Sequence, residues 1–423
     1  MPPRSSRLWI AFGSAISGAA TYALLVVVAR ALSPAHYGEF SFFWAVIVVA
    51  SIGLYLPMEQ LVVRRLAQVD PRGPARKLTF DAGIRSSATV GIVSAIVLGV
   101  LWTFLRGAAP GESLYVLMLL AGLAGCVIQF PSRGALAASG DFRGYGLVVC
   151  IDAVARLVVA VGLWATGVDS PHAFAAAVAG SAILSGVAGR VLAGIRLSEV
   201  PLLAAPPSPS AVPARFLGRE AARLVSAATC MQLLLNSGIL IASVVHGPQA
   251  SFAGHLVAVL TLARLPIFVA QSLQATYVSK LATHAHLGEL VELRRLLKGL
   301  ALAVAVVDAA TLSVAVMIGP ELITFIYGEQ YVVGRDATVL VALGVVLYLA
   351  AAVTNDVAVA IGAFRRVQVA WVAGAIVACG IAVGVDDILL RSTLPLIFGS
   401  TVAASVLCGA VVRSAKTSRR AVV

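Results

Sequence analysis

The chain has 423 residues, 60% of them hydrophobic and only 12% charged, where a soluble domain carries about 25% charge. Its formal net charge is +12, which invites a nucleic-acid reading until the positions of the charges are followed. The composition excludes a water-soluble domain of this size and makes lipid the main solvent. Helix is then the default, because lipid offers no partner to a free backbone N–H or C=O.

Apolar length, charges and Gly/Pro clusters predict twelve membrane spans, roughly 8–30, 40–63, 82–105, 113–138, 144–166, 172–196, 219–245, 251–279, 297–318, 336–361, 367–387 and 393–413. The expected fold class is all-α and polytopic. The first run is too long for a signal-peptide core and no A-x-A-like site follows it, so no cleavable signal is expected. Ser14, Ser17, Gly18 and Thr21 on that span read as helix-packing positions before ligands. Arg30 ends the span, as an interfacial cap or a substrate contact. Tyr37, Phe40, Phe42, Phe43 and Trp44 open the second span, and Trp9 and Trp102 lie near other span ends. All are expected to anchor the chain at the membrane interfaces.

Ionisable groups inside spans cost ~2.5–3.5 kcal/mol each on insertion scales, so each is a candidate. Glu59 follows Pro57 in span two. It reads as a carboxylate for a proton or cation, or as the partner of Arg64. Arg64, beside Arg65, reads either as a contact for a diphosphate at the inner headgroup level or as a purely topological charge. Asp152 and Arg156 stand i,i+4 in span five and are expected to pair. After span six the stretch Pro201–Pro213 is proline-rich, marking a linker. The expected domains are 1–198, a linker at 199–217, and 218–423, each bundle holding six spans.

Span seven carries Thr229, Gln232, Asn236 and Ser243 on one stripe, which read as interhelical hydrogen-bond and packing positions before ligands, with Gln232 and Asn236 the candidate substrate contacts among them. Arg264 sits near the middle of span eight, two residues before Pro266, and Gln271 shares its face with Gln274 beside it. A cation flanked by amides suits a diphosphate and sugar hydroxyls. The competing reading pairs Arg264 with a carboxylate such as Asp308 or Glu59. Asp308 in span nine and Asp356 in span ten have no sequence neighbour to pair with. Each is open as a coupling carboxylate or as the neutraliser of Arg264.

Assigning every Lys and Arg to a loop gives a lopsided count. Only Arg30, Arg106, Arg335 and Arg391 fall on one side, Arg156 and Arg264 lie inside spans, and all the others fall on the other side. By the positive-inside rule both termini are cytoplasmic. The net charge is then topological, facing anionic lipid, and no nucleic-acid partner is needed. Ala138-Ser139-Gly140-Asp141-Phe142-Arg143 and Ala360-Ile361-Gly362-Ala363-Phe364-Arg365 share the pattern A-x-G-x-F-R. Both follow the fourth span of their half, which indicates a parallel internal repeat and a transporter architecture with a central cavity.

Cys126, Cys150, Cys230, Cys379 and Cys408 form no CxxC pair and read as small buried hydrophobes. His36, His172, His246 and His255 are scattered, so no metal site is expected. No Walker-type loop, H-E-x-x-H or G-x-S-x-G motif occurs. The chain is expected to be neither an enzyme nor an ATP-driven pump, and to need no cofactor.

Ala29-Arg30-Ala31-Leu32-Ser33-Pro34-Ala35-His36-Tyr37-Gly38-Glu39-Phe40 resembles the "A-R-x-L-G-x-x-x-Y-G-x-[FY]" stretch of polysaccharide-type flippases, with Ser33 where Gly is usual. Ile323-Thr324-Phe325-Ile326-Tyr327-Gly328-Glu329-Gln330-Tyr331 resembles their "[FY]-G-x-x-Y" segment. The A-x-G-x-F-R segment is similar to their span-ten exit. The chain thus resembles the O-antigen and polysaccharide flippases of the multidrug/oligosaccharidyl-lipid/polysaccharide (MOP) superfamily. The resemblance implies a flippase of the bacterial inner membrane that moves polyprenyl-diphosphate-linked oligosaccharide from the inner to the outer leaflet. It also implies alternating access around a cavity lined by spans one, two, seven and eight.

The expected partners are the lipid-linked glycan and membrane lipids, with room for glycan-synthesis proteins on the basic inner loops. The rivals are a drug or cation antiporter of the same superfamily, using acids such as Asp152 or Asp308, and a non-transporting scaffold for cell-envelope glycan synthesis. A membrane-bound glycan polymerase or ligase is disfavoured by the short outer loops.

Overall fold

The computed structural model describes residues 4–69, 75–106, 110–198, 218–245, 251–287 and 289–420. The expected linker at 199–217, with Arg215, lies outside the described residues, as do Arg72 and His246. The elements are α1 (Arg4–Ala31), α2 (Pro34–Ala50), a π-helical turn (Ser51–Tyr55), α3 (Leu56–Ala67), α4 (Ala75–Arg106), α5 (Pro110–Ala138), α6 (Phe142–Ala165) and α7 (Pro171–Ser198). They continue with α8 (Arg219–Val245), α9 (Ser251–Ala263), α10 (Leu265–Leu287), α11 (Leu290–Tyr327), α12 (Arg335–Ala360), α13 (Phe364–Gly384) and α14 (Ile388–Arg420).

The all-helical, polytopic fold class read from the sequence holds. Eleven stretches among the described residues are long and apolar enough to cross a membrane, and the bent pair α9–α10 makes a twelfth. Large apolar side chains face outward on many of them, including Phe104 at 86%, Met317 at 71% and Val100 at 67% exposure. Water penalises such a surface, whereas acyl chains solvate it. The chain is a multi-pass membrane protein.

Local chemistry starts and stops the helices. Ser33 accepts the His36 amide at 3.3 Å, and Pro34 supplies the first helical residue of α2, a capping arrangement in which the missing proline N–H costs nothing. Asp141 caps α6 by accepting the Gly144 amide at 2.9 Å. The two A-x-G-x-F-R segments turn out to be one and the same turn. Gly140 and Gly362 have φ of 72° and 77°. The residue after each glycine bonds five positions back, Asp141 N to Leu136 O at 3.0 Å and Ala363 N to Ala358 O at 2.8 Å. This is a left-handed glycine helix stop, and it explains why the pattern holds its glycine.

Contacts divide the chain into two units, 1–32 with 42–229, and 33–41 with 230–423. The division falls inside α8, and the start of α2 goes with the second unit. In the first unit α5 packs on α7 and α1 on α6; in the second α14 packs on both α12 and α13. Small residues permit these crossings. A Cβ on Gly374 would lie 2.5 Å from Gly399 O, so α13 and α14 meet backbone to backbone.

Two expectations fail here. Tyr37, Phe40, Phe42, Phe43, Trp44 and Trp102 are not interfacial anchors, because all are 6% exposed or less. Phe42 packs on Trp102 with ring centroids 4.8 Å apart, and the Trp102 indole donates to Glu112 at 2.8 Å. Their rings fill the helix interfaces, where large flat side chains gain most contact. The cysteines are also not uniformly buried. Cys126 is buried, while Cys379 and Cys408 are exposed on apolar helices.

Candidate functional site

The second unit holds the first cluster. Span eight breaks at Arg264, between α9 and α10, with a 41° bend. Pro266 has no amide to donate, so the helical ladder is interrupted just beyond the arginine. The freed guanidinium reaches α8. Arg264 Nη1 donates to Asn236 Oδ1 at 3.2 Å, and Nη2 donates to the Leu235 carbonyl. Asn236 Nδ2 in turn donates to Gln232 O at 2.9 Å, so both ends of its amide are committed and its orientation is set.

Every one of these partners is neutral. Arg264 Nε and Gln232 Oε1 are buried with no hydrogen-bond partner. The reading that pairs Arg264 with Asp308 or Glu59 is therefore corrected: its acceptors are an amide and a carbonyl. A guanidinium held this way keeps its whole charge available to an anion. Two predicted residues, Asn236 and Arg264, thus meet through their side chains, and Gln232 joins them through its backbone carbonyl.

The second cluster is built on Asp356 of α12, which is buried. Gln274 Nε2 donates to Asp356 Oδ1 at 2.7 Å, the Tyr277 hydroxyl to Oδ2 at 2.5 Å, and Asn355 Nδ2 to Oδ1 at 3.4 Å. Trp371 Nε1 fixes Asn355 by donating to its Oδ1 at 2.9 Å. Gln274 is thus committed to Asp356 rather than to Arg264's face, and both Gln271 and Gln274 are exposed. The donors to Asp356 are all neutral, so the site is a polar nest that holds either a carboxylate or its protonated form. Asp308 on α11 has Oδ1 buried and unbonded.

Among the described residues the first unit holds ion pairs of which Arg190–Asp81 at 3.1 Å is the more exposed and Asp152–Arg156 and Glu59–Arg133 are the more enclosed. Asp152 meets Arg156 at 3.4 Å, as the i,i+4 spacing predicts. Ser181 donates to Asp152 at 3.2 Å, Arg156 donates to Thr21 at 2.8 Å, and the guanidinium lies 5.2 Å from the Trp44 ring.

Glu59, one turn beyond the π-helical turn, does not take Arg64 as its partner. It pairs with Arg133 of α5 at 3.1 Å and accepts from the Tyr145 hydroxyl at 3.0 Å, while Arg133 donates to Tyr145 at 2.9 Å. The guanidinium also lies 4.8 Å from the Phe130 ring. Sequence reasoning counted Arg133 among the loop charges and missed it. The signal was its place inside a long apolar run closely following Pro131. Arg30 and Arg64 are exposed at the ends of α1 and α3.

The motifs that carried the family resemblance have a packing role. Tyr37 and Tyr331 are fully buried and meet edge to face at 5.8 Å, and Tyr327 lies 5.9 Å from Tyr331. Gly254 of α9 admits Pro34 beside them, since a Cβ there would lie 2.0 Å from the Pro34 carbonyl. Among the described residues no cluster of His, Cys, Asp and Glu could hold a metal ion.

No family model matches this chain. Two uncharacterised proteins of Mycobacterium tuberculosis are each 26% identical to it, one over 94% of this chain and 88% of the relative, the other over 97% and 92%. Among solved structures, it is similar to a multidrug resistance MATE family transporter of the MOP superfamily in an inward-facing conformation (TM-score 0.68, 16% identity, 95% of both chains). The outward-facing conformation described in the same words aligns with TM-score 0.67 at 16% identity, over 99% of this chain and 97% of the other. A MOP superfamily transporter from Pyrococcus furiosus Vc1, described as having a binding pocket of reverse polarity, aligns with TM-score 0.66 at 16% identity over 99% and 96%. These likenesses are of fold: the chain has the fold of the MATE transporters of the MOP superfamily.

Proposed function

We propose that this protein is a membrane transporter of the inner membrane, with both termini in the cytoplasm, that flips an anionic lipid-linked oligosaccharide by alternating access. The observation that carries this reading is Arg264. It is a cation at a helix break within the membrane, bound among the described residues to neutral groups alone, with its Nε unsatisfied. A buried charge without a counter-charge is expensive, and a diphosphate would supply the missing partner. The shared MOP-superfamily fold and the flippase-like motifs around Tyr37 and Tyr331 support the same assignment. Headgroups would enter from the cytoplasmic side, with Gln232 and Asn236 orienting Arg264 and the lipid tail remaining in the bilayer.

Asp356 favours a second reading, that of a drug or cation antiporter. Its carboxylate faces only neutral donors, which suits a proton or cation. The two readings differ in what they move. The test is leaflet-resolved accumulation of lipid-linked oligosaccharide in membranes depleted of the protein, with wild type or Arg264→Ala added back. The flippase reading expects inner-leaflet accumulation, relieved by wild type and reduced at least about tenfold in relief by Arg264→Ala, the loss of roughly one charge-assisted contact. Unchanged leaflet distribution on depletion, with energised efflux of cationic dyes that Asp356→Asn abolishes, would favour the antiporter.

A further inference from the structure

A trench with a cavity volume of about 410 Å³ lies in the second unit, between the break of span eight and α11, and reaches α12. Leu262, Pro266 and Val269 form one wall; Val307, Ala310 and Val314 form the other. The three- and four-residue spacings of Val307, Ala310 and Val314 place them on one stripe of α11, so the trench runs along that helix. Lipid chains lie in that same direction. From Val307 to Ile323 the α11 wall extends about 24 Å, more than the ~15 Å depth of one hydrocarbon leaflet. The protein leaves the trench unfilled: Val269 is 60%, Val314 43% and Val307 37% exposed.

The polar atoms in the lining rule out a hydrophilic guest. Thr311 donates its hydroxyl to the Val307 carbonyl at 2.8 Å, and Thr338 donates to the Gly334 carbonyl at 3.1 Å. Neither hydroxyl has a proton left to offer. A sugar or phosphate would lose its water here and gain no donor in return, whereas a hydrocarbon chain leaves one apolar solvent for another and gains close contact with the walls. Gly319 lets α11 and α12 approach closely beside the trench, since a Cβ there would lie 2.5 Å from Thr338 Cγ2. Ala263 and Leu265, on either side of Arg264, both line the trench. A chain lying in it touches the break from its α11 side, while Arg264 reaches α8 from the same break.

We propose that this trench binds the hydrocarbon chain of the lipid-linked substrate while Arg264 engages its anionic head. The assignment rests on the flippase reading. The test uses the full chain in nanodiscs, photolysed with a diazirine-tagged polyprenyl phosphate or a diazirine-tagged phosphatidylethanolamine, with the labelled peptides mapped by mass spectrometry. The polyprenyl probe is expected to tag segments 259–269 and 307–323 above the other lipid-facing helices. Untagged polyprenyl phosphate should compete and untagged phospholipid should not.

Ala310→Trp and Val269→Trp, which fill the trench from opposite walls, should each cut tagging about tenfold, a loss of about 1.4 kcal/mol of contact with the chain. Val306→Trp, outside the lining on an exposed position of α11, should leave it unchanged. Equal tagging by phosphatidylethanolamine overturns the proposal, as does tagging that both trench variants leave intact. A second copy seated in the trench would exclude both probes and cross-link as a dimer, and would overturn it too. Tagging is read without transport. Specific tagging with no leaflet transport would therefore sink the flippase reading alone, and unspecific tagging with transport intact would sink the trench alone.

Discussion

At the residue scale, the informative feature is which buried charges the protein has already neutralised. Asp152–Arg156 and Glu59–Arg133 are closed pairs; Arg264 is not. Asn236→Asp would place a carboxylate where the amide oxygen now lies 3.2 Å from Arg264. It should close a third pair, hold or raise thermal stability, and lower flipping at least about tenfold by removing the charge from the substrate. Full transport by this variant would mean that the Arg264 charge is not used on an anion.

The Glu59–Arg133 pair makes the opposite prediction. Arg133→Met leaves a buried carboxylate alone and should cost about 3–5 kcal/mol, whereas Glu59→Met combined with Arg133→Met should recover most of it. Melting curves of the two singles and the double in detergent decide this, and additive losses would mean that the pair is not coupled. Glu59 was legible as a candidate because it is an acid in an apolar span. Its partner was not, because Arg133 is remote in sequence and sits near a span end.

At the element scale, two glycine turns and one broken span shape the chain. Gly362→Ala forces a side chain into the left-handed region at φ 77°, which should lower stability by about 1–2 kcal/mol in denaturant titration. Gly362→Asn should cost less, because asparagine tolerates that conformation. Gly140 in the matching turn of the first unit should behave alike, and a substitution there without effect would show that the turn does not need its glycine. The A-x-G-x-F-R pattern was readable as a repeat, and its physical basis emerged only from the backbone. Span eight shows the reverse case. Pro266 predicted a break, but proline alone does not say where the freed arginine points.

At the scale of the whole molecule, the spread of Lys and Arg predicts the orientation. In a variant lacking the five natural cysteines, Val332→Cys should react with a membrane-impermeant maleimide in intact cells, while Arg365→Cys should react only after permeabilisation. The reverse labelling would invert the topology and place the headgroup entry on the outer side. Val332 is 74% exposed, which makes it a fair outer-loop reporter.

By itself, the sequence determined the solvent, the helical class, the spans and the two matching turns. These depend on local properties, namely apolar length, charge placement and turn chemistry, and lipid enforces them because an unpaired backbone group cannot persist in it. The tertiary structure alone decided the partners of the charges and the fate of the aromatic rings. Glu59 meets Arg133 rather than Arg64, Arg264 meets Asn236 rather than a carboxylate, and Tyr37 is buried against Tyr331 instead of lying at an interface. In an apolar solvent the outside of a helix carries almost the same residues as its inside, so hydrophobic pattern does not say which face is turned inward. Close packing between distant segments settles that, and it is a property of the folded chain alone.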